Sequence, residues 1–146
     1  MKTFVCRSCG HVSFNEAPQN CPVCGAPKTS FIDSPDAIHK PGEPTKFSEP
    51  EKKHIPQIII VKKCGLIPEG CFDAHAKVGE IEHPMIAEHY ITFIDFYLDK
   101  KYISRVYLTP EKLHPAAALH MKADSGILSV IEHCNIHGCW MAETNI

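Results

Sequence analysis

Residues 90–108 read YITFIDFYLDKKYISRVYL, in which two runs rich in β-branched and aromatic residues flank a charged turn. Such residues fit the half-buried surface of a sheet, so each run predicts a strand. The turn Asp99-Lys100-Lys101 between the two runs predicts a hairpin. This stretch indicates that the second half of the chain is built from short strands.

Other stretches have the same character. Residues 55–61 form a short apolar run, and residues 116–122 and 127–133 flank Asp124-Ser125-Gly126, which predicts a second hairpin. No stretch longer than a dozen residues has the apolar spacing of a long helix. Several short strands joined by turns predict a mainly β chain that folds as a β-sandwich.

The composition is that of an ordinary globular protein and limits the possible partners. The 146 residues carry a net charge of −2, with 44% hydrophobic and 22% charged residues. This charge offers no attraction for nucleic acid or for an anionic membrane surface, so neither is an expected partner. The longest clean apolar stretch, residues 58–61, is far shorter than the roughly 18 residues of a membrane helix. No apolar signal segment precedes the first cysteine, so a cytoplasmic location is expected.

Three zones predict the domain organisation. Residues 1–33 hold four cysteines and predict a small metal-binding domain, and residues 51–146 carry the strand-forming sequence. The zone between them, residues 34–50, contains four prolines: Pro35, Pro41, Pro44 and Pro50. Because proline lacks an amide donor and restricts the residue before it, this zone is expected to be an extended linker.

Eight cysteines in one chain indicate either a disulfide framework or metal binding. Four of them form two matching steps, Cys6-Arg7-Ser8-Cys9-Gly10 and Cys21-Pro22-Val23-Cys24-Gly25. Two such knuckles supply four thiolates in a tetrahedron, which suits zinc or a single iron. Of the other cysteines, we expect Cys64 and Cys71 to be free thiols and Cys139 to pack beneath a loop.

Residues 4–31 resemble the rubredoxin-like domain of rubrerythrins. The likeness rests on the Cys-Pro-x-Cys-Gly of the second knuckle and on the short gap between the knuckles. It implies iron and one-electron transfer at a site formed by Cys6, Cys9, Cys21 and Cys24. A zinc ribbon that only folds the N-terminus is the alternative, and the spacing leaves the metal open.

A second group of metal-ligand residues lies in the other half of the chain. Its members are His54, His83, His89, Cys134 and His137. Four imidazoles and one thiolate exceed the four ligands of a structural zinc and suit a redox iron with one open octahedral position. A thiolate on the axis would donate electron density to a molecule bound opposite. The histidines without this patterning are expected at surface or packing positions: His75, His114, His120 and His133.

Residues 51–143 resemble the catalytic domain of superoxide reductases, the neelaredoxin and desulfoferrodoxin family. The matching motifs, in family order, are Lys53-His54-Ile55-Pro56, KVGEIEHPM at residues 77–85, Glu88-His89-Tyr90-Ile91, and EHCNIHG at residues 132–138 followed by Trp140. The resemblance implies an immunoglobulin-like β-sandwich. It also implies that the four grouped histidines and the axial Cys134 bind a non-haem iron.

The resemblance further implies a role for Lys53 and shows a departure beside it. The family often has Glu-Lys before its first histidine, with the lysine beside the open iron position. Here Lys53 matches, but Lys52 stands at the glutamate position and Glu51 lies one residue further out. Lys53 is therefore the predicted catalytic residue, because its charge would attract the superoxide anion and stabilise the anionic product.

These features predict an oxidative-stress enzyme, a superoxide reductase that reduces superoxide by one electron to hydrogen peroxide. Rubredoxin or a similar protein is the implied electron donor, the N-terminal centre is the implied relay, and a homodimer or tetramer is the implied assembly. The alternative is a non-catalytic iron electron-transfer protein joined to a structural zinc ribbon. The open iron position and Lys53 favour the enzyme, since an electron carrier needs neither.

Overall fold

The computed structural model describes residues 1–43 and 45–146, so Pro44 of the expected linker lies outside the described residues. The described residues form strands, one α-helix and a 3-10 turn at Lys28–Ser30. The strands and the helix are β1 (Thr3–Cys6), β2 (Val12–Phe14), β3 (Phe31–Asp33), β4 (Ile38–His39), α1 (Glu49–His54), β5 (Pro56–Val61), β6 (Phe72–Val78), β7 (Ile91–Leu98), β8 (Lys101–Tyr107), β9 (Ala116–Met121), β10 (Ile127–Cys134) and β11 (Gly138–Asn145).

The strands form three sheets. A small N-terminal sheet has the order β2-β1-β3, and a β-sandwich consists of the sheet β4-β11-β10-β7-β8 packed on the sheet β5-β6-β9. Neighbouring strands are antiparallel except for β4, which pairs in parallel with β11. The predicted fold class, a mainly β chain with a sandwich preceded by a small four-cysteine domain, is therefore confirmed.

The hairpin predicted at residues 90–108 is present. β7 pairs with β8 as far as Leu98 and Lys101, so the turn itself consists of Asp99 and Lys100. Both turn residues have positive φ, 49° and 66°. This is the backbone of a two-residue turn whose twist matches the right-handed twist of the strands that it joins.

The second predicted hairpin is wrong. β9 pairs with β6 in the three-stranded sheet, whereas β10 lies between β7 and β11 in the five-stranded sheet. The chain therefore crosses from one layer of the sandwich to the other at residues 122–126. At the end of this crossing, the amide of Ile127 donates to Oδ1 of Asp99 over 2.9 Å. A turn signal indicates a change of direction, but not which strand the chain meets afterwards.

The central strands β7 and β10 are buried on both faces. Phe96 and Val130 point into the sandwich, whereas Tyr97 and Ile131 point to the opposite face and pack with Val12 of the N-terminal sheet. Successive side chains of a strand alternate between the two faces. The N-terminal domain therefore covers the outer face of the five-stranded sheet.

Helix α1 has six residues and ends at the first expected iron ligand, His54. A reciprocal capping box begins the helix: Ser48 Oγ accepts from the amide of Glu51, and Glu51 Oε1 accepts from the amide of Ser48. The helix stops at this point because Pro56 has no amide donor and disfavours a helical Ile55. In the described part of the chain, we find no helix long and apolar enough to cross a membrane.

Candidate metal centres

The structure brings the five predicted iron-ligand residues together at one end of the sandwich. His54 ends α1, His83 and His89 lie in the loop between β6 and β7, Cys134 ends β10, and His137 lies in the turn before β11. The first two histidines and the cysteine are buried, whereas the last histidine is exposed.

The four imidazole rings stand at the corners of an approximate square. Adjacent ring centroids are separated by 4.8 Å for His54–His83, 4.5 Å for His83–His89, 5.1 Å for His89–His137 and 5.0 Å for His54–His137. On the diagonal, the centroids of His54 and His89 are 6.4 Å apart. Rings in this arrangement can each direct one nitrogen at a common centre.

The hydrogen bonds of the rings show which nitrogens are available to a metal. Nδ1 of His54 lies 2.8 Å from the carbonyl oxygen of Pro50, and Nδ1 of His83 lies 2.8 Å from that of Pro84. Each of these Nδ1 atoms therefore carries the proton. Nε2 of His54, His83 and His89 is buried and has no hydrogen-bond partner among the described residues. Buried polar atoms without partners are costly, and a bound metal would satisfy all three.

Burial also keeps these rings in the form that binds metals. It lowers the pKa of His83 to about 4. It lowers the pKa values of His54 and His89 as well, and the neighbouring imidazoles add to the effect. The three rings are therefore neutral at pH 7, with lone pairs available on Nε2.

Cys134 supplies a thiol from the buried side of the site. Its Sγ lies 3.7 Å from Nδ1 of His137 and within 4.8 Å of ligand atoms of His54 and His89. Burial raises the pKa of this thiol, while the amides of His137 and Ile136 point at the sulfur and lower it in part. A bound cation would favour the thiolate. Four imidazoles and one thiol make a five-donor set, which fits iron and exceeds a structural zinc site.

A close approach between Gly79 and α1 holds two of these ligands together. A Cβ at Gly79 would lie only 2.5 Å from the carbonyl oxygen of Lys52, so a larger residue does not fit. The amide of Ile81 donates to the same oxygen over 3.0 Å. The loop that carries His83 is thus packed directly against the helix that carries His54.

Asn135 joins the two loops that bring ligands to the site. Its Oδ1 accepts from the amide of Tyr90 over 2.9 Å, and its Nδ2 donates to the carbonyl oxygen of Glu88 over 3.1 Å. His89 lies between these two partners in the chain, so Asn135 fixes His89 relative to Cys134. A single asparagine has no periodic or spacing signal, and the sequence did not predict this role.

Trp140 covers one side of the site. One face of its indole stacks on His54 at a centroid distance of 4.7 Å, and His39 stacks on the ring at 4.6 Å. The indole Nε1 donates to the carbonyl oxygen of His137 over 3.2 Å. Trp140 therefore fixes the ring plane of one ligand and the backbone of another.

The two lysines before His54 have different surroundings. Lys53 is exposed. The pKa of His89 is lowered mainly by burial, then by the neighbouring His137, and to a smaller extent by the positive charge of Lys53. Lys52 instead pairs along the helix, with its Nζ 3.6 Å from Oε1 of Glu49.

Glu51 is directed away from the imidazoles. Its Oε1 accepts from the amide of Ser48 over 2.7 Å, and its Oε2 accepts from the amide of Gly42 over 2.9 Å. These two backbone hydrogen bonds lower the pKa of Glu51. Both carboxylate oxygens are therefore used to cap α1 and to fasten the segment before it.

The four N-terminal cysteines also converge. Sγ of Cys6 lies 3.7 Å from Sγ of Cys24, and Sγ of Cys9 lies 3.6 Å from Sγ of Cys21. Sulfur atoms around a tetrahedral zinc lie about 3.8 Å apart, because each Zn–S bond is about 2.3 Å long. The glycine after each knuckle has a φ of 78°, so the two halves repeat one backbone geometry. This site fits zinc or a single iron.

Arg105 ties the four-cysteine domain to the sandwich. Its side chain, 2% exposed, donates from Nε and Nη2 to the two oxygens of Asp95, over 2.5 and 2.8 Å. Its Nη1 donates to the carbonyl oxygen of Cys9 over 2.7 Å. His11 of the N-terminal domain lies on the same carboxylate, with Nδ1 3.6 Å from Oδ2. Both members of this buried ion pair of the sandwich therefore also contact the N-terminal domain.

Comparison with known protein families agrees with both sites. The desulfoferrodoxin family profile matches residues 46–143. The chain belongs to the desulfoferrodoxin family. A second profile, the rubredoxin-like domain of rubrerythrin, matches residues 4–32. The resemblances expected from the motifs of the two halves are therefore confirmed, as are the expected metals, iron at the imidazole site and iron or zinc at the four-cysteine site.

Individual relatives of this desulfoferrodoxin-family chain extend the agreement. A superoxide reductase of Pyrococcus abyssi is 30% identical over 106 residues, covering 65% of this chain and 88% of its own. A desulfoferrodoxin homolog of Archaeoglobus fulgidus is 30% identical over 107 residues, and this match covers 69% of this chain and 75% of the relative. The solved structure of a superoxide reductase (neelaredoxin) from Ignicoccus hospitalis superposes with a TM-score of 0.58 at 29% sequence identity. The superposition covers 75% of this chain and 94% of the solved chain.

Proposed function

We propose that this chain is a superoxide reductase, which reduces superoxide by one electron to hydrogen peroxide. The observation that carries the proposal is a cluster of imidazoles in which three Nε2 atoms are buried without partners among the described residues. Ligand atoms of two of these histidines, His54 and His89, lie within 4.8 Å of the buried thiol of Cys134. We assign His54, His83, His89, His137 and Cys134 as the ligands of a mononuclear non-haem iron. The match to the superoxide reductase of Pyrococcus abyssi covers 88% of that protein's length.

The chemistry divides between the metal and the chain. Superoxide must gain one electron and two protons to become hydrogen peroxide, and iron(II) bound by the five donors would supply the electron. The protein has to attract a small anion to the site although its own net charge is −2. We propose Lys53 for this role, because it is exposed and immediately precedes the ligand His54 in the chain.

The position of Glu51 supports a site without a carboxylate ligand from this helix. Glutamate at the position of Lys52 is frequent in the family, and here the nearest glutamate has both oxygens bound to backbone amides. We therefore propose that the oxidised iron has no glutamate ligand from α1. The side of the site next to Lys53 is then available to superoxide and to solvent protons.

We further propose that the N-terminal domain relays electrons within the same chain. The guanidinium of Arg105 donates a hydrogen bond to the carbonyl oxygen of Cys9 and lies 3.5 Å from the ring centroid of Phe93. The ring of Phe93 stacks on His133 at a centroid distance of 5.1 Å with an interplanar angle of 7°. His133 is covalently bonded to Cys134. A short series of packed and bonded groups therefore connects the two sites through one protein interior.

Several finer assignments accompany the proposal. We propose rubredoxin or a similar small protein as the donor and a homodimer or tetramer as the assembly. We propose residues 1–33, 34–50 and 51–146 as domain, linker and domain, with a linker that adds β4 to the sandwich and contains the start of α1. We also propose a cytoplasmic location, because none of the eight cysteines forms a disulfide in the structure, as expected in a reducing compartment.

The test combines metal content, the visible spectrum and titration with superoxide. We expect iron at the imidazole site, a sulfur-to-iron absorption band, and oxidation of the reduced iron by superoxide at a rate near the diffusion limit. Cys134→Ser should abolish the band, whereas Cys139→Ala, which changes a buried cysteine outside the ligand set, should retain it. If the reduced wild-type protein did not react with superoxide, the proposal would be contradicted, and the alternative, a non-catalytic electron-transfer protein, would be favoured.

A further inference from the structure

A third cluster of ligand-type side chains lies outside the two sites described above. It consists of Cys64, Cys71, Asp73 and His120, whose ligand atoms all lie within 4.8 Å of one another. The cysteines lie in the loop between β5 and β6, and Asp73 on β6 is directly opposite His120 on β9.

This cluster is remote from the imidazole site. β5 begins two residues after His54 and ends at Val61, just before the loop that holds Cys64. A strand of this length spans roughly 20 Å, since each residue advances the chain by about 3.3 Å. The third cluster and the imidazole site therefore lie at opposite ends of the β5-β6-β9 sheet.

One nitrogen of the cluster faces three other ligand atoms. Nδ1 of His120 lies 3.0 Å from Sγ of Cys64, 3.7 Å from Sγ of Cys71 and 3.0 Å from Oδ1 of Asp73. An imidazole nitrogen carries at most one proton, so a hydrogen bond can satisfy only one of these neighbours. Despite its short distance, Oδ1 of Asp73 is buried without a well-directed hydrogen bond among the described residues. A cation between the four groups would satisfy all of them.

Cys64 has the backbone surroundings of a metal-binding cysteine. The amides of Leu66 and Ile67, two and three residues later, donate to its Sγ over 3.3 and 3.4 Å. Amides at the same two offsets point at Cys21 of the four-cysteine site and at Cys134 of the imidazole site. Such amides stabilise a negatively charged sulfur. The loop after β5 thus repeats a feature of both other sites.

The donor set and its spacing fit zinc. Two thiolates, one imidazole and one carboxylate fill the four positions of a tetrahedral Zn²⁺ and leave none open. With Zn–S bonds of about 2.3 Å and Zn–N or Zn–O bonds of about 2.1 Å, an imidazole nitrogen lies about 3.4 Å from a carboxylate oxygen and about 3.6 Å from a sulfur around a tetrahedral zinc. The distances from Nδ1 of His120 to the two sulfur atoms and to Oδ1 of Asp73, 3.0 to 3.7 Å, span these separations.

We propose that Cys64, Cys71, Asp73 and His120 form a third metal site, which binds Zn²⁺ and fastens the loop between β5 and β6 to the sheet. In the loop itself, the amide of Cys64 donates to the carbonyl oxygen of Cys71 over 3.4 Å, a long hydrogen bond. The zinc joins this loop to β6 and to β9. The site is structural, because its four donors are all protein groups.

Metal analysis of the full chain tests the site. Wild type, Cys64→Ser and His120→Asn are exposed to Zn²⁺, dialysed, and measured for zinc and iron per chain. We expect each variant to hold one zinc less than wild type, with unchanged iron content and visible spectrum. His75→Asn is the matched control, since His75 also lies on this sheet beside Asp73 but outside the cluster. Equal zinc in all four proteins would overturn the proposal.

A second measurement needs no variant. Alkylation of wild-type protein is followed cysteine by cysteine with mass spectrometry, in the presence of Zn²⁺ and after a chelator. Zinc should slow the alkylation of Cys64 and Cys71 at least tenfold, and the chelator should restore it. Equal rates in both conditions would overturn the proposal, and so would a disulfide between these two cysteines in protein isolated with zinc.

Discussion

Arg105 donates a hydrogen bond to the carbonyl oxygen of Cys9 over 2.7 Å, so a side chain of the sandwich binds the metal-binding knuckle itself. The same guanidinium neutralises Asp95, whose side chain is 1% exposed. Although burial alone lowers the pKa of Arg105, the carboxylate raises it overall, so the arginine stays charged. This buried ion pair lies within the sandwich, and its arginine also binds the N-terminal domain through the carbonyl oxygen of Cys9.

Arg105→Met should lower the free energy of unfolding by about 3–5 kcal/mol, because it leaves the buried carboxylate of Asp95 without a partner. Urea denaturation measures the change, and limited proteolysis should show earlier release of the N-terminal domain. The control is Arg7→Met, since Arg7 makes an exposed hydrogen bond of 3.2 Å to Thr29. It should cost less than about 0.5 kcal/mol. Similar losses in both variants would argue against a stabilising role of Arg105 in the buried contact between the domains.

Lys53→Met should lower the second-order rate constant for superoxide by roughly three- to tenfold at low ionic strength, because local attraction of the anion is lost. The difference from wild type should shrink as salt screens the charge. Stopped-flow titration at two salt concentrations measures both effects. Lys52→Met is the matched control, because Lys52 pairs with Glu49 and its loss should change the rate less. A rate that responds equally to the two substitutions would contradict the assignment of Lys53.

Glu51→Ala should lower the free energy of unfolding, because the capping box of α1 loses its carboxylate. The spectrum of the oxidised iron should stay unchanged, since both oxygens of Glu51 face backbone amides. Glu51→Gln retains an acceptor and should cost less. If both variants shifted the iron spectrum, Glu51 would act as a ligand rather than as a cap.

Asn135→Ala should weaken iron binding by roughly ten- to a hundredfold, the usual effect of removing a group that orients metal ligands. The substitution frees the loop of His89, which Asn135 holds through Tyr90 and Glu88. Competition with a chelator gives the dissociation constant. Asn145→Ala, at the far end of β11, should leave it unchanged. Equal iron affinities in the two variants would show that Asn135 does not orient the metal ligands.

Glu143 gives a pH-dependent contribution to stability. Partial burial alone raises its pKa, but hydrogen bonds from Lys100 and Ser129 lower it overall, below the ordinary value of 4.5. Because the unfolded chain then takes up the proton first, the contribution is present above about pH 4.5 and is lost as pH falls through the lowered pKa.

Glu143→Gln should therefore cost about 0.5–1 kcal/mol at pH 7, and the difference from wild type should shrink below pH 4.5. Urea denaturation across this range measures it. Glu69→Gln, in the exposed loop after β5, is the control and should show no such trend. A difference that is independent of pH would indicate a packing effect.

Local features of the chain were accessible from its sequence. The β7–β8 hairpin follows from residue types on either side of a short turn, and the four-cysteine site follows from two identical knuckles. The hairpin predicted at residues 116–133 failed, because the pairing of β9 with β6 depends on packing against a distant strand. Such pairing has no signal within the window of a turn.

The sequence by itself determined which donors this protein has: two cysteine knuckles recognisable from their short spacing, and four histidines and a thiol recognisable from residue type and family motifs. Only the tertiary structure decided which of the remaining side chains meet. His120 reaches Cys71, 49 residues earlier, because β9 pairs with β6. Likewise Arg105 reaches Cys9, 96 residues earlier, because the N-terminal domain covers the outer face of the sandwich. Contacts of this kind arise when whole sheets bury their apolar faces, and no short stretch of sequence encodes them.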